Sequence, residues 1–525
     1  MRDFQIPGRS AVYAQNGICA TSHPLAAHVA VDTLRRGGNA MDAAIAGAVL
    51  LGICEPQMTG IGGDCFVLWS KGPDAPVQSL NGSGRAPAAS SADSLRARGI
   101  SSVPLNTPEA VTIPGAIDAF CHLSETEGRL GIDALLAPAI HYAEEGVPVA
   151  PRVALDWAKQ QGTLQGAARD HYLIGGAVPQ TGQIFRAPAQ AAALREIARN
   201  GRDGFYTGPV AEDMCGALHA MGGVHDLADF ASTCCTPTTP ISGHYKEFEL
   251  MEHPPNGQGA TAILLLNILA HFDLPGLDPF GADRLHIEAE AAKLAYNARN
   301  RLIADPDVSD ATARMLDKGF AAQLAALIQM DRAIEDAQSI TEAVHKDTVY
   351  ITVVDRDRMA VSLIYSIFHG FGSGIASPKY GILLQNRGAG FTLTPGHPNE
   401  FGPGKRPMHT IIPGMLRQNG RVVMPFGVMG GQYQSAGHAR FVTNMMDYGM
   451  DPQSAIDAPR SFPDQGKLGI ENRISDAVAA DLAARGHVIN RLDMALGGAQ
   501  AIRIDDAGYL EGASDPRKDG CALGY

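Results

Sequence analysis

After His345-Lys346-Asp347 the apolar residues of this chain change period abruptly, and that change limits the possible folds more than any other stretch. From Thr348 to Asp355 they alternate around Val353-Val354. Arg356-Asp357-Arg358 supplies a turn, and Met359 to Ile367 forms a second run. Alternation with period two belongs to a strand with two unlike faces. The spacing predicts a β-hairpin that opens at Thr348. The region before it, from about Pro108 to Ala343, reads as mainly helical; in His286 to Asn297, for example, Ile287, Ala291, Leu294 and Ala295 share one face. Two helices separated by Gly37-Gly38-Asn39-Ala40 are expected between His23 and Leu50. A loop through Thr59-Gly60-Ile61-Gly62-Gly63-Asp64 should then lead into a strand at Cys65 to Trp69. Further strands are expected at Gly381 to Leu384, Arg421 to Met424 and Ala501 to Ile504, with helices around Ala436 to Met446 and Asp476 to Arg485. Helical layers enclosing antiparallel strands satisfy this pattern.

With 525 residues, 45% of them hydrophobic, the chain can bury a large core. Its formal net charge of -13 carries no basic block, which argues against nucleic acid or an anionic membrane surface as partner. No apolar run is long enough to span a bilayer, and Met1-Arg2-Asp3-Phe4-Gln5-Ile6-Pro7 lacks the features of a secretory signal, so a cytoplasmic location is expected. The eight cysteines form neither a zinc pattern nor a disulfide framework, so buried free thiols are expected. His253, His286, His369, His409 and His438 lack metal-ligand spacing and read as hydrogen-bonded structural histidines. No metal or cofactor is expected. Gly60-Ile61-Gly62-Gly63 is glycine-rich, but a helix precedes it and a strand follows, the reverse of a dinucleotide-binding turn.

A hydroxyl is a poor nucleophile until a base takes its proton, and freeing the backbone amine of the same residue supplies one. Thr348 is placed for this chemistry. Cleavage of the Asp347-Thr348 bond would expose an amine whose pKa of about 7.7 to 8.0 suits proton transfer near neutrality. A Thr at a strand start is ordinarily a β-branched strand former, so its position alone does not decide. Gly430-Gly431, within Phe426-Gly427-Val428-Met429-Gly430-Gly431-Gln432, offers bare backbone N–H groups that could hold an oxyanion, although such a pair is commonly just a tight turn. A helix beginning near Ser435 could add its positive end.

The segment Asp347-Thr348-Val349-Tyr350-Ile351-Thr352-Val353-Val354-Asp355, with Gly372-Ser373-Gly374-Ile375, Gly381-Ile382-Leu383-Leu384, Lys405-Arg406-Pro407-Met408 and Met429-Gly430-Gly431, resembles the γ-glutamyltransferase family. The likeness extends to Gly37 to Ala44, Gly60 to Gly63, Asn256-Gly257-Gln258-Gly259, Glu288 to Lys293 and Asp515-Pro516-Arg517, nearly the whole chain. It implies an α+β fold, the four-layer αββα sandwich of N-terminal-nucleophile hydrolases. It also implies a precursor that splits into a large subunit, 1–347, and a small subunit, 348–525, joined in one compact unit. Thr348 would be the nucleophile, Gly430 and Gly431 the oxyanion hole, and Ser366 the stand-in for a second Thr that hydrogen-bonds the nucleophile. Self-association into a homo-oligomer is left open.

The typical γ-glutamyl clamp is altered. Ser83 stands where the family has an Arg for the substrate α-carboxylate, with Arg85 two residues on; Gly390 replaces an Asp that holds the amino group, and Phe368 replaces an Asn. His409-Thr410 replace paired serines. This set resembles the cephalosporin-acylase-like and oxamate amidohydrolase branch, which implies a small amide acid as substrate, with Arg387 or Arg85 as anchor for its carboxylate. The alternatives are a glutathione hydrolase or γ-glutamyltransferase, and a non-catalytic relative that keeps the fold.

Overall fold

The computed structural model describes residues 8–335 and 348–525. The expected hairpin is there: Val349–Val354 pairs antiparallel with Ala360–Ser366, Val349 opposite Tyr365. It sits at the centre of a seven-stranded sheet whose spatial order is Cys521–Gly524, Ile18–Thr21, Val349–Val354, Ala360–Ser366, Asp64–Ser70, Gln78–Gly82 and Thr236–Thr238. A second seven-stranded sheet runs Val12–Ala14, Leu510–Ser514, Gly498–Ile504, Arg421–Met429, Gly414–Gln418, Phe248–Glu252 and Ile241–Tyr245. Both are antiparallel, and each draws strands from either side of Thr348 in sequence.

The two-residue period decides which layer each side chain enters. Val349, Ile351 and Val353 pack with residues of Pro24–Arg35 and Ala40–Cys54 on the outer face of the first sheet. Tyr350 and Ile364 point the other way and meet Ile411 and Met429 between the sheets. Val354 and Ala360 likewise join Met251, Met415 and Ile502. On the far side, Leu416, Phe426, Val428 and Ala501 pack with residues of Gly259–Leu269, Ala282–Leu302 and Gln434–Met446. Helix, sheet, sheet, helix is the αββα sandwich expected.

Ala40–Cys54 shows how local sequence builds a layer. Asn39 and Asp42 form a reciprocal capping box, and Asp355 Oδ2 accepts from the Ala40 N–H at 2.9 Å, tying the helix start to the hairpin turn. Every residue of this helix is buried, which suits its nearly all-apolar composition. Between the sheets, Gly427 lets the layers approach: a Cβ there would lie 2.4 Å from the Tyr350 ring. Gly427→Ala is therefore expected to destabilise the fold by about 1–3 kcal/mol through overpacking, read as a lower denaturant midpoint.

Two expectations need correction. Gly381 to Leu384 is not a strand; only an isolated bridge joins Ala376 and Leu383. These residues are apolar because they lie buried under Gly62, where a Cβ would come within 2.0 Å of the Leu383 carbonyl oxygen. The mainly helical middle region also contributes the strands Thr236–Thr238, Ile241–Tyr245 and Phe248–Glu252. Among the described residues no helix is long and apolar enough to cross a membrane.

Candidate active site

One end of the first sheet carries a row of polar side chains. Ser366 is the cross-strand partner of Asp64, and the registers beside them put Thr348 next to Ser366 and Ser83 next to Asp64. All four have the parity of Tyr350, Ile364 and Phe66, so they face the space between the sheets. Each is buried.

The Thr348 hydroxyl donates to Ser366 Oγ at 3.3 Å. Ser366 Oγ also accepts from the Phe368 N–H at 2.9 Å and from Arg387 Nη2 at 3.2 Å. A hydroxyl oxygen has two lone pairs, so with both N–H donors in place Ser366 can turn its own proton toward a deprotonated Thr348. Arg387 Nη1 donates to Thr410 Oγ1 at 2.9 Å, and the guanidinium lies over the Phe368 ring, 4.1 Å from its centroid. Phe368 adopts φ 80°, a left-handed conformation that a bulky residue holds only when its surroundings enforce it. What enforces it here is the bond from its N–H to Ser366 and its contact with Arg387.

The network continues to the glycine pair. Gln258 Nε2 donates to the carbonyls of Thr410, at 2.5 Å, and Gly431, at 3.2 Å, while Arg299 Nη1 holds Gln258 Oε1 at 2.7 Å and also bonds Gln432 Oε1. Gly430 has φ 123° and its Cβ position lies 2.9 Å from Gly497 Cα, so only glycine fits. The strand Arg421–Met429 ends there, and after the short turn Gly431–Tyr433 the helix Gln434–Met446 begins, one residue before the expected Ser435.

Asp64 was not singled out in the sequence. Its Oδ1 accepts from the N–H groups of Gly84 and Gly115, both at 3.0 Å, and from Gln385 Nε2 at 2.8 Å; its Oδ2 faces His409 Nε2 at 3.2 Å. Burial pushes its pKa up to about 6, against the pull of Arg387 and these donors. His409 is held neutral, mainly by burial and further by Arg387 and His253. Because His409 Nδ1 accepts from the Ile411 N–H at 3.4 Å, the ring proton sits on Nε2 and is donated to Asp64. The linkage sign follows. Asp64 in the folded chain holds its proton above the ordinary carboxylate range, so its contribution to stability is greatest below pH 4 and is lost as pH rises through 6.

Thr348, Ser366, Arg387 and Thr410 thus come together, with Gly431 linked through Gln258. Arg85 does not join them. Its guanidinium is engaged by Asp305 at 3.1 Å and Asp307 at 2.8 Å, and donates to the Gly404 carbonyl at 2.9 Å, whereas Arg387 is the arginine bonded to Ser366. Asp347, the expected cleavage partner, lies outside the described residues.

Cys234 is exposed and Cys235 and Cys521 are half-buried, so the expectation of buried thiols holds for the other five cysteines only. Among the described residues, His286, Glu290 and His487 form a buried trio with ligand atoms within 4.8 Å of one another. Sequence spacing does not reveal this trio, because His487 lies 201 residues beyond His286. The Lys293 ammonium bonds Glu290 at 2.7 Å, His286 Nδ1 bonds His487 Nε2 at 2.8 Å, and His286 Nε2 donates to the Gln329 carbonyl at 2.8 Å.

Comparisons with known proteins place the chain in a family. A family profile described as gamma-glutamyltranspeptidase matches residues 26–525. The chain is 35% identical to the glutathione hydrolase-like YwrD proenzyme of Bacillus subtilis over 96% of this chain and 97% of that one. It is 34% identical to the oxamate amidohydrolase proenzyme of Klebsiella pneumoniae, over 97% and 98% of the two chains. The crystal structure of a cephalosporin acylase from Bacillus halodurans superimposes with a TM-score of 0.92 at 37% identity, covering 100% of this chain and 99% of that one.

Proposed function

Because this chain belongs to the gamma-glutamyltranspeptidase family and is an N-terminal-nucleophile amidohydrolase, we propose that Thr348 is its nucleophile, freed by self-cleavage after Asp347, and that its substrate is a small amide acid. In the precursor Thr348 Oγ attacks the Asp347 carbonyl carbon and the amide becomes an ester; water opens it, leaving the Asp347 carboxylate and a free Thr348 amine. In the mature enzyme that amine takes the hydroxyl proton as Oγ attacks the substrate amide. The N–H groups of Gly430 and Gly431 hold the oxyanion, the amine passes its proton to the leaving nitrogen, and water releases the acid from the acyl-enzyme. Subunits 1–347 and 348–525 stay together as one αββα unit, since both sheets interleave strands from the two pieces.

The observation that carries the substrate reading is the buried Arg387 guanidinium, bonded to the same Ser366 that bonds Thr348. A guanidinium this close to the nucleophile suits a short acid in which the carboxylate lies next to the amide, as in oxamate. Oxamate amidohydrolase and cephalosporin acylase are names that relatives carry, and their presence supports a substrate outside the γ-glutamyl class.

The test is turnover by the processed protein of oxamate, γ-glutamyl-p-nitroanilide, glutathione and glutaryl amides. Oxamate or a similarly short amide acid should give the highest kcat/KM; a γ-glutamyl compound turning over best would overturn the reading. Arg387→Lys, which keeps the charge but loses the bidentate fork, is expected to raise KM for the acid substrate about tenfold or more. Arg85→Ala should leave that KM within about twofold, because the Arg85 guanidinium is engaged by Asp305 and Asp307.

A further inference from the structure

We propose that Asp64 is the built-in counter-ion of Arg387, so that a substrate carboxylate must compete with it and takes up a proton on binding. This rests on the reading of Arg387 as the anchor. It assigns Asp64 the role of a specificity-determining residue that acts through Arg387.

The geometry ties the two groups on both sides. Arg387 Nη2 bonds Ser366, the cross-strand partner of Asp64, and Arg387 Nη1 bonds Thr410, the neighbour of the His409 that bonds Asp64. Both side chains are completely buried. The other ionisable groups around Asp64 are His409, the adjacent thiol of Cys65, which burial keeps protonated, Arg406, whose guanidinium donates to the Ser83 and Cys234 carbonyls and Thr236 Oγ1, and in the processed chain the freed Thr348 amine. Arg387 is the strongest pull on the Asp64 proton among them. Near neutral pH, then, the buried Arg387 guanidinium has the Asp64 carboxylate as its nearest balancing charge, with Arg406 beyond it and, in the processed chain, the freed Thr348 amine beside Ser366.

A second carboxylate arriving at Arg387 puts two anions around one guanidinium in a dry site, which like-charge repulsion disfavours. Protonation of Asp64 relieves it. The proton comes from solvent and settles on the Asp64 carboxyl, while its other bonds can persist: Oδ1 keeps its three donors and the protonated Oδ2 retains a lone pair for His409. Binding of an anionic acyl group is therefore favoured at low pH and weakens as pH rises above about 6, where Asp64 ionises in the empty pocket.

The test is calorimetric titration of the processed protein with glycolate, which has the carboxylate and size of oxamate but no amide to cleave. Two buffers of different ionisation heat count the protons exchanged. Wild type is expected to take up close to one proton per glycolate at pH 7.5, with the dissociation constant rising up to about tenfold per pH unit above pH 6.5. Asp64→Asn should bind glycolate about tenfold tighter at pH 7.5 and take up no proton. Glycolate binding that needs Arg387 but exchanges no proton in wild type would overturn the role of Asp64 and leave the anchor intact. Wild type that fails to bind glycolate, or an Arg387→Met protein that binds it as wild type does, would instead overturn the anchor. Uptake that sets in at about pH 6, rather than at about pH 8 where the freed Thr348 amine titrates, assigns the proton to Asp64 even where Asp64→Asn fails to fold, and uptake confined to the higher range would overturn its role.

Discussion

Thr348→Ala is expected to purify as one uncut 525-residue polypeptide and to lose turnover by about 10⁴-fold or more. Both losses come from the same missing atom. Without Oγ nothing attacks the Asp347 carbonyl, so the amine that would act as base is never released, and no nucleophile remains for a substrate amide. The fold should survive, because the site's other members hold one another: Ser366 bonds the Phe368 N–H and Arg387, and Arg387 bonds Thr410. Gel electrophoresis and a stopped assay read the two effects separately. Thr348→Ser is the control: it keeps the oxygen, and it should be processed and active.

Gly430→Ala should reduce turnover by about 10²-fold or more. At φ 123° an alanine is in a region open essentially to glycine, and its Cβ would stand 2.9 Å from the Gly497 backbone. Relief requires the peptide to rotate or the loop to move, and either misdirects the N–H groups proposed to meet the oxyanion. Because the proposed carboxylate anchor, Arg387, is a separate group, kcat should fall with KM changed little, and self-cleavage should slow in parallel if both reactions use the same donors. Activity loss confined to KM would argue that these glycines only shape the turn.

The hairpin at Thr348 was legible because both of its strands are central and buried along their whole length, which calls for two β-branched and aromatic runs broken by one charged turn. Register then follows from the short turn, which brings Thr348 opposite Ser366. Thr236–Thr238 and Ile241–Tyr245 were missed because they are short strands at the sheet edges and only partly buried, and little of their burial is patterned. The run at Gly381 to Leu384 failed in the opposite sense. Its apolar residues fill space beneath Gly62 without joining a sheet, and period alone cannot separate those two reasons for burial.

Within the site, Thr348, Ser366 and the glycine pair could be named from position and resemblance. Asp64 could not. It stood in view at the end of a glycine-rich loop, but its significance depends on His409 and Gln385, more than 300 residues away. One sequence signal was available: an acidic residue at the first position of a fully apolar, buried strand must find partners or a function. Arg85 shows the converse. Proximity in sequence to the altered clamp suggested a role, whereas Asp305 and Asp307, distant in sequence, hold its guanidinium.

The most direct measurement is mass spectrometry of the purified protein after incubation, with sequencing of the small fragment from its amino end. Self-activation through Thr348 requires two fragments meeting at the Asp347-Thr348 bond, and a small fragment whose first residue is Thr348 with an unblocked amine. Full turnover from an intact chain, or from a fragment that begins at any other residue, would contradict it.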